Sequence, residues 1–342
     1  MPASKKTQDF VANELPYKLL MYLYKNSRAP LKALGREFNI SYHTVSEVLR
    51  RCEERYGIVY TLQLNEQALG FTEGRVITIK FATMPNIETL KERIKKDTFI
   101  QDAYLGSGDF DLLLYVVGLS NRDYAIWQFN FRVEFSEYKP NLKVSALGHY
   151  TIGFFPLRNE LLAESTVLND AEKKVLLLLN ENSRMKLGEI VKKSKLTQMR
   201  VIYIMKKLAE RKIIKNYTTL VQKPDKHLLM AYASSHTFVK SHDKLLLKFL
   251  EEMTKEDLHE VTNDYALMCN TNGVYDIVFV CTFKDGEAAS KRGAEIIKDL
   301  WKEEDSKIEK AVLTSLLVGD WPFHLEKYEK QLEDIVAIKK KL

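Results

Sequence analysis

The chain has 342 residues with a net charge of +6, and 45% of its residues are hydrophobic. This length predicts two to four domains, and 17 Tyr, 16 Phe and 3 Trp are too many aromatic residues for a disordered chain. Apolar runs such as Val175–Leu179 are far too short to span a bilayer, which argues against a membrane-spanning protein.

Residues 1–66 have the pattern of a winged helix-turn-helix domain. Leu15, Leu19 and Leu23 share one face of a helix, Pro30 suits the first turn of a second helix, and Ser41 suits the N-cap of a third. These signals predict helices over 15–27, 31–38 and from Ser41 to about Tyr56. The alternating stretch IVYTLQLN after Gly57 predicts a strand, which we interpret as a wing.

Residues 72–157 have the element order of a ferredoxin-like domain. Strands are predicted at RVITIKFA, FIQDAYLG, FDLLLYVV and from about Leu142, and helices over Ile87–Lys96 and from about Asn121 to Glu137. The resulting order β-α-β-β-α-β is that of a ferredoxin-like sandwich.

The stretch LGSGDFDLLLYVV over 105–117 allows two interpretations. A phosphate-binding loop needs a strand, a glycine loop and then the N-terminus of a helix. Here a second strand follows, so GSGD is predicted to turn a hairpin, where glycine supplies a positive φ. The two acids bring no histidine or third carboxylate, so no metal site is predicted.

The second half of the chain repeats this order. Residues 166–223 predict another winged helix-turn-helix, with helices over Ala171–Asn180, from Leu187 and from Thr197, and a strand from Ile213. Residues 226–323 predict another ferredoxin-like domain, with strands over 228–239, near 261–268 and 275–283, and over 307–318, and helices over 243–254 and 287–301. Residues 324–342 predict a final helix with a basic tail.

Landmarks recur between the two halves. The triplet Asn-Ser-Arg begins at Asn26 and again at Asn182, and the apolar positions that follow match at the same offset of 156 residues. GDFD at Gly108 corresponds to GVYD at Gly273. These matches predict a tandem duplication of a unit of roughly 150 residues. The fold class predicted is therefore α+β: two repeats of a winged helix-turn-helix followed by a ferredoxin-like βαββαβ domain.

The third helix of each helix-turn-helix is the predicted DNA-reading element. Residues early in such a helix reach base edges in the major groove, and those further along meet phosphates. The predicted DNA-binding residues are Tyr42, His43, Thr44, Ser46, Arg50, Arg51, Gln198, Met199, Arg200, Tyr203, Lys206, Lys207 and Arg211. The alternative for each residue is a face that is merely solvated.

Charge is sorted between the predicted domains. Residues 15–65 carry eight basic and four acidic side chains, and residues 168–223 carry fourteen basic and five acidic ones. Residues 224–342 have seventeen basic and twenty-two acidic side chains, so the excess of positive charge lies in the helix-turn-helix segments. This distribution predicts double-stranded DNA as the partner.

A helix-turn-helix followed by a ferredoxin-like domain with the hairpin SGDFD resembles the Lrp/AsnC family of transcription regulators. The resemblance covers nearly the whole chain, twice, although the family's usual chain has one unit. It implies homo-oligomers (dimers) through the ferredoxin-like domains, and an amino-acid-like effector near the hairpin. Ser107, Gly108, Asp109 and Asp111 match the motif. The second half keeps only its Gly273 and Asp276.

The N-terminal residues and the cysteines predict the location of the protein. Residues 1–10 lack the apolar stretch of a signal peptide, and three dispersed cysteines without a CxxC pair fit a reducing compartment, so we expect a cytoplasmic, nucleoid-associated protein without metal, cofactor or membrane partner. Two alternatives stay open. One is an architectural DNA-binding protein with little sequence preference. The other is an enzyme similar to a fused siroheme decarboxylase, although Asn263 stands where that family has a histidine, and we predict no catalytic residue.

Overall fold

A computed structural model describes residues 15–71, 74–118, 120–221, 228–235, 267–283, 285–287, 289–291 and 307–319. The predicted helix over 243–254, most of the helix over 287–301 and the C-terminal helix over 324–342 lie outside these residues. The described elements form two helical segments, a two-stranded sheet between them and a closed barrel with further helices packed on it.

The first helical segment contains α1 (Leu15–Lys25), α2 (Leu31–Glu37) and α3 (Tyr42–Tyr56). The Ser41 side chain caps α3 by accepting a hydrogen bond from the Thr44 N–H, as predicted, and Gly57 ends the helix at a φ of 60°. A side chain at Gly35 would come within 2.9 Å of the Ile40 carbonyl oxygen, so glycine permits the tight approach of α2 to the turn.

The second helical segment has the same order, with α7 (Asp170–Glu181), α8 (Leu187–Ser194) and α9 (Gln198–Glu210). Between it and the preceding domain lies α6 (Asn159–Glu164), a short helix that the sequence did not predict. Asn169 and Glu172 form a capping box at the start of α7, and Thr197 caps α9.

The strand after each helical segment does not form a wing. Strand β1 (Ile58–Leu64) pairs antiparallel with β6 (Ile214–Val221), which follows α9 in the other half of the chain. The prediction of a wing for each segment is therefore wrong in the part of the chain that the structure describes. Each strand satisfies its backbone hydrogen bonds on the other segment, so the two helix-turn-helix segments are joined in one unit.

Reciprocal contacts of the two Asn-Ser-Arg triplets flank this strand pair. The Ser27 and Ser183 hydroxyls lie 2.5 Å apart and are buried. Arg28 Nη1 donates to the Ser183 carbonyl at 2.6 Å, and Arg184 Nη1 donates to the Ser27 carbonyl at 2.5 Å. Each guanidinium also lies over a tyrosine of the strand pair, Arg28 over Tyr217 and Arg184 over Tyr60.

The other strands close into an eight-stranded barrel. Its first half contains β2 (Arg75–Lys80), β3 (Ile100–Gly108), β4 (Leu112–Val116) and β5 (Asn141–Ile152), and its second half contains β7 (Leu228–Ser235), β8 (Leu267–Gly273), β9 (Ile277–Phe283) and β10 (Lys307–Val318). The order around the barrel is β10-β3-β4-β2-β5-β8-β9-β7. Each half has the strand order of a ferredoxin-like sheet, and the halves join through β3 with β10 and β5 with β8.

Edge pairing extends strands beyond the predicted bounds. β8 continues to Gly273 rather than ending near residue 268, because its last residues pair with β5. Outside the first half of the sheet lie α4 (Ile87–Lys96) and α5 (Asn121–Glu134), whose inward side chains include Leu90, Ile94 and Phe131. The bounds of α4 are those predicted.

Two separate cores hold the helical segments. The first segment has its own buried cluster, which includes Leu19, Leu34 and Val45. The cluster of the second segment, with Leu176 and Val201, runs on through β1 and α6 into the barrel interior. None of the helices within the described ranges is both long and apolar enough to cross a membrane.

Candidate nucleic-acid interface

Helix α9 presents an open face at its N-terminal end. Gln198, Met199, Arg200 and Tyr203 are all exposed, and Met199 retains 75% of its accessible surface. The Arg200 guanidinium lies 5.5 Å from the centre of the Tyr203 ring. Within the described part of the chain no carboxylate is close enough to pair with Arg200, so this cation and its neighbours are available to an external ligand.

The corresponding face of α3 is different in charge. Tyr42 and His43 are exposed and their rings meet edge to face, while Thr44 and Ser46 are half-buried. Thr44 contacts the capping hydroxyl of Ser41 at 2.9 Å. The start of α3 thus offers polar and aromatic side chains, without the cation that Arg200 supplies in α9.

The two predicted arginines of α3 are bound by carboxylates on the same helix. Arg50 pairs with Glu47 at 2.8 Å and with Glu54 at 2.5 Å, and Arg51 pairs with Glu47 at 3.0 Å. Hydrogen bonds from Arg50 and Arg51 lower the pKa of Glu47 to about 2. Both arginines are exposed, but their charge is locally balanced.

Further along α9, two predicted DNA-binding residues turn away from the open face. Lys207 pairs with Glu172 at 2.7 Å, and Arg211 pairs with it at 3.3 Å and donates to the Val167 carbonyl. Burial raises the pKa of Glu172, but the hydrogen bonds from Lys207 and the Asn169 backbone and both cationic charges outweigh this effect, so its pKa is lowered. Both cations are half-buried because the buried Glu172 carboxylate holds them against α7, and their part in DNA binding stays a prediction. Lys206 stays exposed, 3.6 Å from Glu210.

Beside the N-terminus of α3 lies an open groove of about 530 Å³. Its lining includes Lys32 and Arg36 from α2 and Ser41 and Tyr42 from the start of α3. Exposed cations next to the amide end of a helix suit an anionic group such as a backbone phosphate.

The predicted effector residues lie on the seam between the two halves of the barrel. The Asp109 N–H donates to the Lys310 carbonyl at 2.8 Å, and its carboxylate accepts from the Lys310 N–H at 2.9 Å. A side chain at Gly108, where φ is 150°, would come within 2.4 Å of that same carbonyl oxygen. Ser107, the residue before this glycine, pairs with Val312 of β10.

Asp111 is held within its own half of the barrel. Its carboxylate accepts from the Phe81 N–H at 2.8 Å and pairs with Lys80 at 2.7 Å. The interpretation of GSGD as a hairpin rather than a phosphate loop is confirmed, since β3 and β4 pair antiparallel on either side of it. The structure thus gives both aspartates bonds within the chain.

The second hairpin docks on the opposite seam by the corresponding backbone bond, from the Val274 N–H to the Val144 carbonyl at 3.3 Å, but by different side-chain bonds. A side chain at Gly273, with φ of 148°, would come within 2.7 Å of the Val144 carbonyl oxygen on β5. Here Val274 has no carboxylate to offer, and the Ser145 hydroxyl on β5 instead accepts from the Tyr275 N–H at 2.8 Å. Each hairpin therefore contacts the last strand of the other half.

A buried polar network inside the barrel was not predicted. The Tyr275 hydroxyl lies 2.7 Å from the Thr78 hydroxyl and donates to Glu309 at 2.5 Å, and Glu309 also pairs with Lys143. Burial and the neighbouring Glu309 carboxylate raise the pKa of Tyr275. Single polar residues within strands give no signal of such a network.

Sequence comparison finds transcriptional regulators, and structure comparison finds proteins of the same fold. No protein-family model matches the chain. An uncharacterised HTH-type transcriptional regulator of Pyrococcus abyssi (strain GE5 / Orsay) is 26% identical over 113 residues, which cover 32% of this chain and 75% of that protein. The HTH-type transcriptional regulator LrpA of Pyrococcus horikoshii is 28% identical over 111 residues, covering 31% and 76%.

Over nearly all of its length the chain shares its fold with a solved structure of an enzyme. The siroheme decarboxylase NirDL, solved in complex with an iron-uroporphyrin III analogue, superposes with a TM-score of 0.57 at 10% identity. The match covers 95% of this chain and 99% of that one. The chain thus has relatives among Lrp-type helix-turn-helix regulators over about a third of its length, and the NirDL-like fold over nearly all of it.

Proposed function

We propose that the chain is a DNA-binding transcription regulator of the Lrp/AsnC type, built by tandem duplication, with both DNA-binding heads in one molecule. The open face of α9 carries the proposal most directly: Gln198 and Arg200 are exposed at the end of the helix that reads base edges in such domains. The relatives named as HTH-type regulators and the excess of positive charge in both helical segments support it.

The duplication is supported by the reciprocity of the contacts between the heads. Ser27 and Arg28 make toward the second segment the bonds that Ser183 and Arg184 make toward the first. A two-fold homodimer would have such contacts between identical residues. One chain then holds its two recognition helices at a fixed separation. Such a protein acts where the DNA is, so a cytoplasmic, nucleoid-associated location is part of this proposal.

The heads differ in what they offer to DNA, so the preferred site is asymmetric. The second head presents Arg200, of the residue type that pairs bidentately with guanine, whereas the corresponding position of the first head holds Thr44. Selection of binding sites in vitro with the whole chain is expected to return two unlike half-sites. A perfectly palindromic preferred site would contradict this asymmetry.

Arg200→Ala tests the assignment of the reading residue, with Arg50→Ala as its matched control. We expect Arg200→Ala to cost about 1–3 kcal/mol of binding free energy and to relax the sequence preference at one position. Arg50→Ala removes a cation already paired with two carboxylates and is expected to change affinity much less. Equal effects of the two variants, measured by fluorescence anisotropy on the selected site, would remove Arg200 from the proposed interface.

The same binding measurements can instead favour an architectural DNA-binding role. Two linked heads raise avidity for any duplex through effective concentration. If the selected site and random duplex bind with similar affinity at the same salt concentration, the chain is a sequence-tolerant DNA-bridging protein and not a specific regulator.

The effector part of the proposal concerns the first hairpin. Asp109 bonds the two barrel halves through Lys310, so an amino-acid-like ligand whose ammonium group competed for this carboxylate would act on the seam. Thermal shift measurements with individual amino acids test this. A ligand that stabilises the wild type but not Asp109→Asn would support the site, and an equal shift in both proteins would place its binding elsewhere.

A tetrapyrrole-binding enzyme is a candidate because of the NirDL-like fold alone. Among the seven histidines, the structure describes the side chain of His43, on the surface of α3. Titration with an iron tetrapyrrole distinguishes the enzyme from the regulator. A saturable change of the Soret band would favour the enzyme, whereas an unchanged band together with specific DNA binding would favour the regulator.

A further inference from the structure

Helix α5 has two apolar faces, of which the sheet covers one. Tyr124, Trp127 and Phe131 are buried against the first half of the barrel. On the other side Ile126, Phe129 and Val133 retain 49%, 66% and 56% of their accessible surface. Three large apolar side chains exposed together on one helix are unusual for a surface without a partner.

The exposed residues form a stripe with the spacing of a helix–helix contact. Their intervals of three and four residues keep them on one side of α5, as in a coiled-coil seam. Continuing the same intervals leads to Arg122 at the start of the helix and to Glu137 just after its end, and both are exposed. The apolar stripe is therefore flanked by Arg122 at one end and, at the other, by Glu137 in the short 3-10 helix that follows α5.

The second half of the chain lacks this stripe. The Ala289 N–H donates to the Asp285 carbonyl as the Tyr124 N–H does to the Ser120 carbonyl, which aligns the two helices at an offset of 165 residues. At this offset Ile126, Phe129 and Val133 correspond to Lys291, Ala294 and Lys298. The apolar surface is thus a property of one half only.

We propose that two copies of the chain pair through this stripe, with α5 packed antiparallel on α5 around a two-fold axis next to Phe129. Antiparallel packing places Ile126 opposite Val133 of the second copy and Arg122 opposite its Glu137. A second copy satisfies both the apolar centre and the opposite charges of the ends, because the stripe is complementary to itself when reversed. A parallel arrangement would place like charges together.

The restriction of the stripe to one half fixes the size of the assembly. Among the described residues one such surface is present, and an isologous contact through it closes at two chains and does not grow into a ring or fibre. The resulting dimer carries four helix-turn-helix segments. One helix pair buries less than a standard protein interface, so we expect dissociation in roughly the micromolar range.

Sedimentation without DNA tests the pairing independently of the proposed function. The wild type is expected to sediment at twice the 39.7 kDa chain mass at concentrations of tens of micromolar, and Phe129→Glu as a single chain with an unchanged circular dichroism spectrum. Val274→Glu is the matched control, since Val274 is an exposed apolar residue of the second hairpin. A monomeric wild type would overturn the proposal, and so would a dimeric Phe129→Glu.

A charge exchange tests the antiparallel direction. Arg122→Glu and Glu137→Arg are each expected to weaken dimerisation several-fold, and the double variant is expected to restore most of the loss, because the opposite charges then face each other again. If the losses of dimer affinity in the two single variants simply added in the double variant, the antiparallel packing would be contradicted.

Disulfide formation locates the contact. Cys52, Cys269 and Cys281 are buried, so Phe129→Cys introduces a thiol near the proposed axis against a low background. Mild oxidation is expected to link two chains of Phe129→Cys but not of Lys291→Cys, since Lys291 is the second-half residue that corresponds to Ile126 of the stripe. Linkage of both variants at equal rates, or of neither, would remove α5 as the interface.

Discussion

The first helix-turn-helix segment has a buried core of its own around Leu19 and Leu34, whereas the core of the second, around Ile190 and Val201, continues into the barrel. Their surfaces differ as well. The arginines of α3 are paired with glutamates of the same helix, while Arg200 of α9 faces outward without a carboxylate among the described residues. Similar backbones thus carry one segment whose α3 arginines are paired and one segment, joined to the barrel core, whose Arg200 is open.

The difference in cores is tested by removing the same buried volume from both segments. Leu34 and Ile190 occupy corresponding positions and are fully buried. Leu34→Ala and Ile190→Ala are each expected to cost about 2–5 kcal/mol of local stability. Amide hydrogen exchange should show the loss within residues 15–57 for Leu34→Ala, but also in barrel strands for Ile190→Ala. Increased exchange in the barrel in both variants would show that the two cores are not independent.

The next test of the comparison between the two helix-turn-helix segments concerns the buried carboxylate of Glu172, beneath α9. Glu172→Gln removes the charge that holds Lys207 and Arg211 and is expected to cost about 2 kcal/mol of stability at neutral pH. Because the pKa of Glu172 is lowered in the folded state, its contribution is present above its ordinary value of 4.5 and is lost as the pH falls through the folded value.

Thermal unfolding measured between neutral and acid pH checks this expectation. The difference in thermal unfolding midpoint between the wild type and Glu172→Gln should become smaller at acid pH. Glu47→Gln on the exposed face of α3 is the control for removing a carboxylate, and its midpoint should lie near that of the wild type. A difference in midpoint that does not change with pH would mean that Glu172 stabilises the fold by packing alone.

The contact between the two helix-turn-helix segments is tested by a double-mutant cycle on its two buried serines, Ser27 and Ser183. Ser27→Ala or Ser183→Ala leaves the other hydroxyl without this partner and is expected to cost about 1 kcal/mol or more. The double variant should be no less stable than either single one, because both polar groups are then gone. Additive losses in urea unfolding would show that the two hydroxyls are not coupled.

The smallest expected effect concerns the balanced charges of α3. Glu47→Gln releases Arg50 and Arg51 and removes a negative charge from the face that would approach phosphates. We expect DNA affinity to rise about two- to fivefold at low salt, with a steeper salt dependence. An unchanged affinity and slope would indicate that the first head contributes little to phosphate contact.

Local signals fixed most elements. The caps Ser41 and Thr197, the helix Ile87–Lys96 and the hairpin after β3 all follow from neighbouring residues, since capping, helix periodicity and glycine turns act over a few residues. The ion pairs of Lys207 and Arg211 could not be predicted, because helical periodicity does not reveal the buried Glu172, more than thirty residues earlier, that binds them.

By itself, the sequence determined the order of the elements, the recurrence of their landmarks and the location of the positive charge. Only the tertiary structure decided which strands pair. β1 with β6, β3 with β10 and β5 with β8 all join residues far apart in the chain. A strand with open edges pairs with whichever edge the rest of the fold places beside it. The pairing of β1 with β6 in place of two wings, and the closed barrel, therefore depended on long-range contacts that no local pattern specifies.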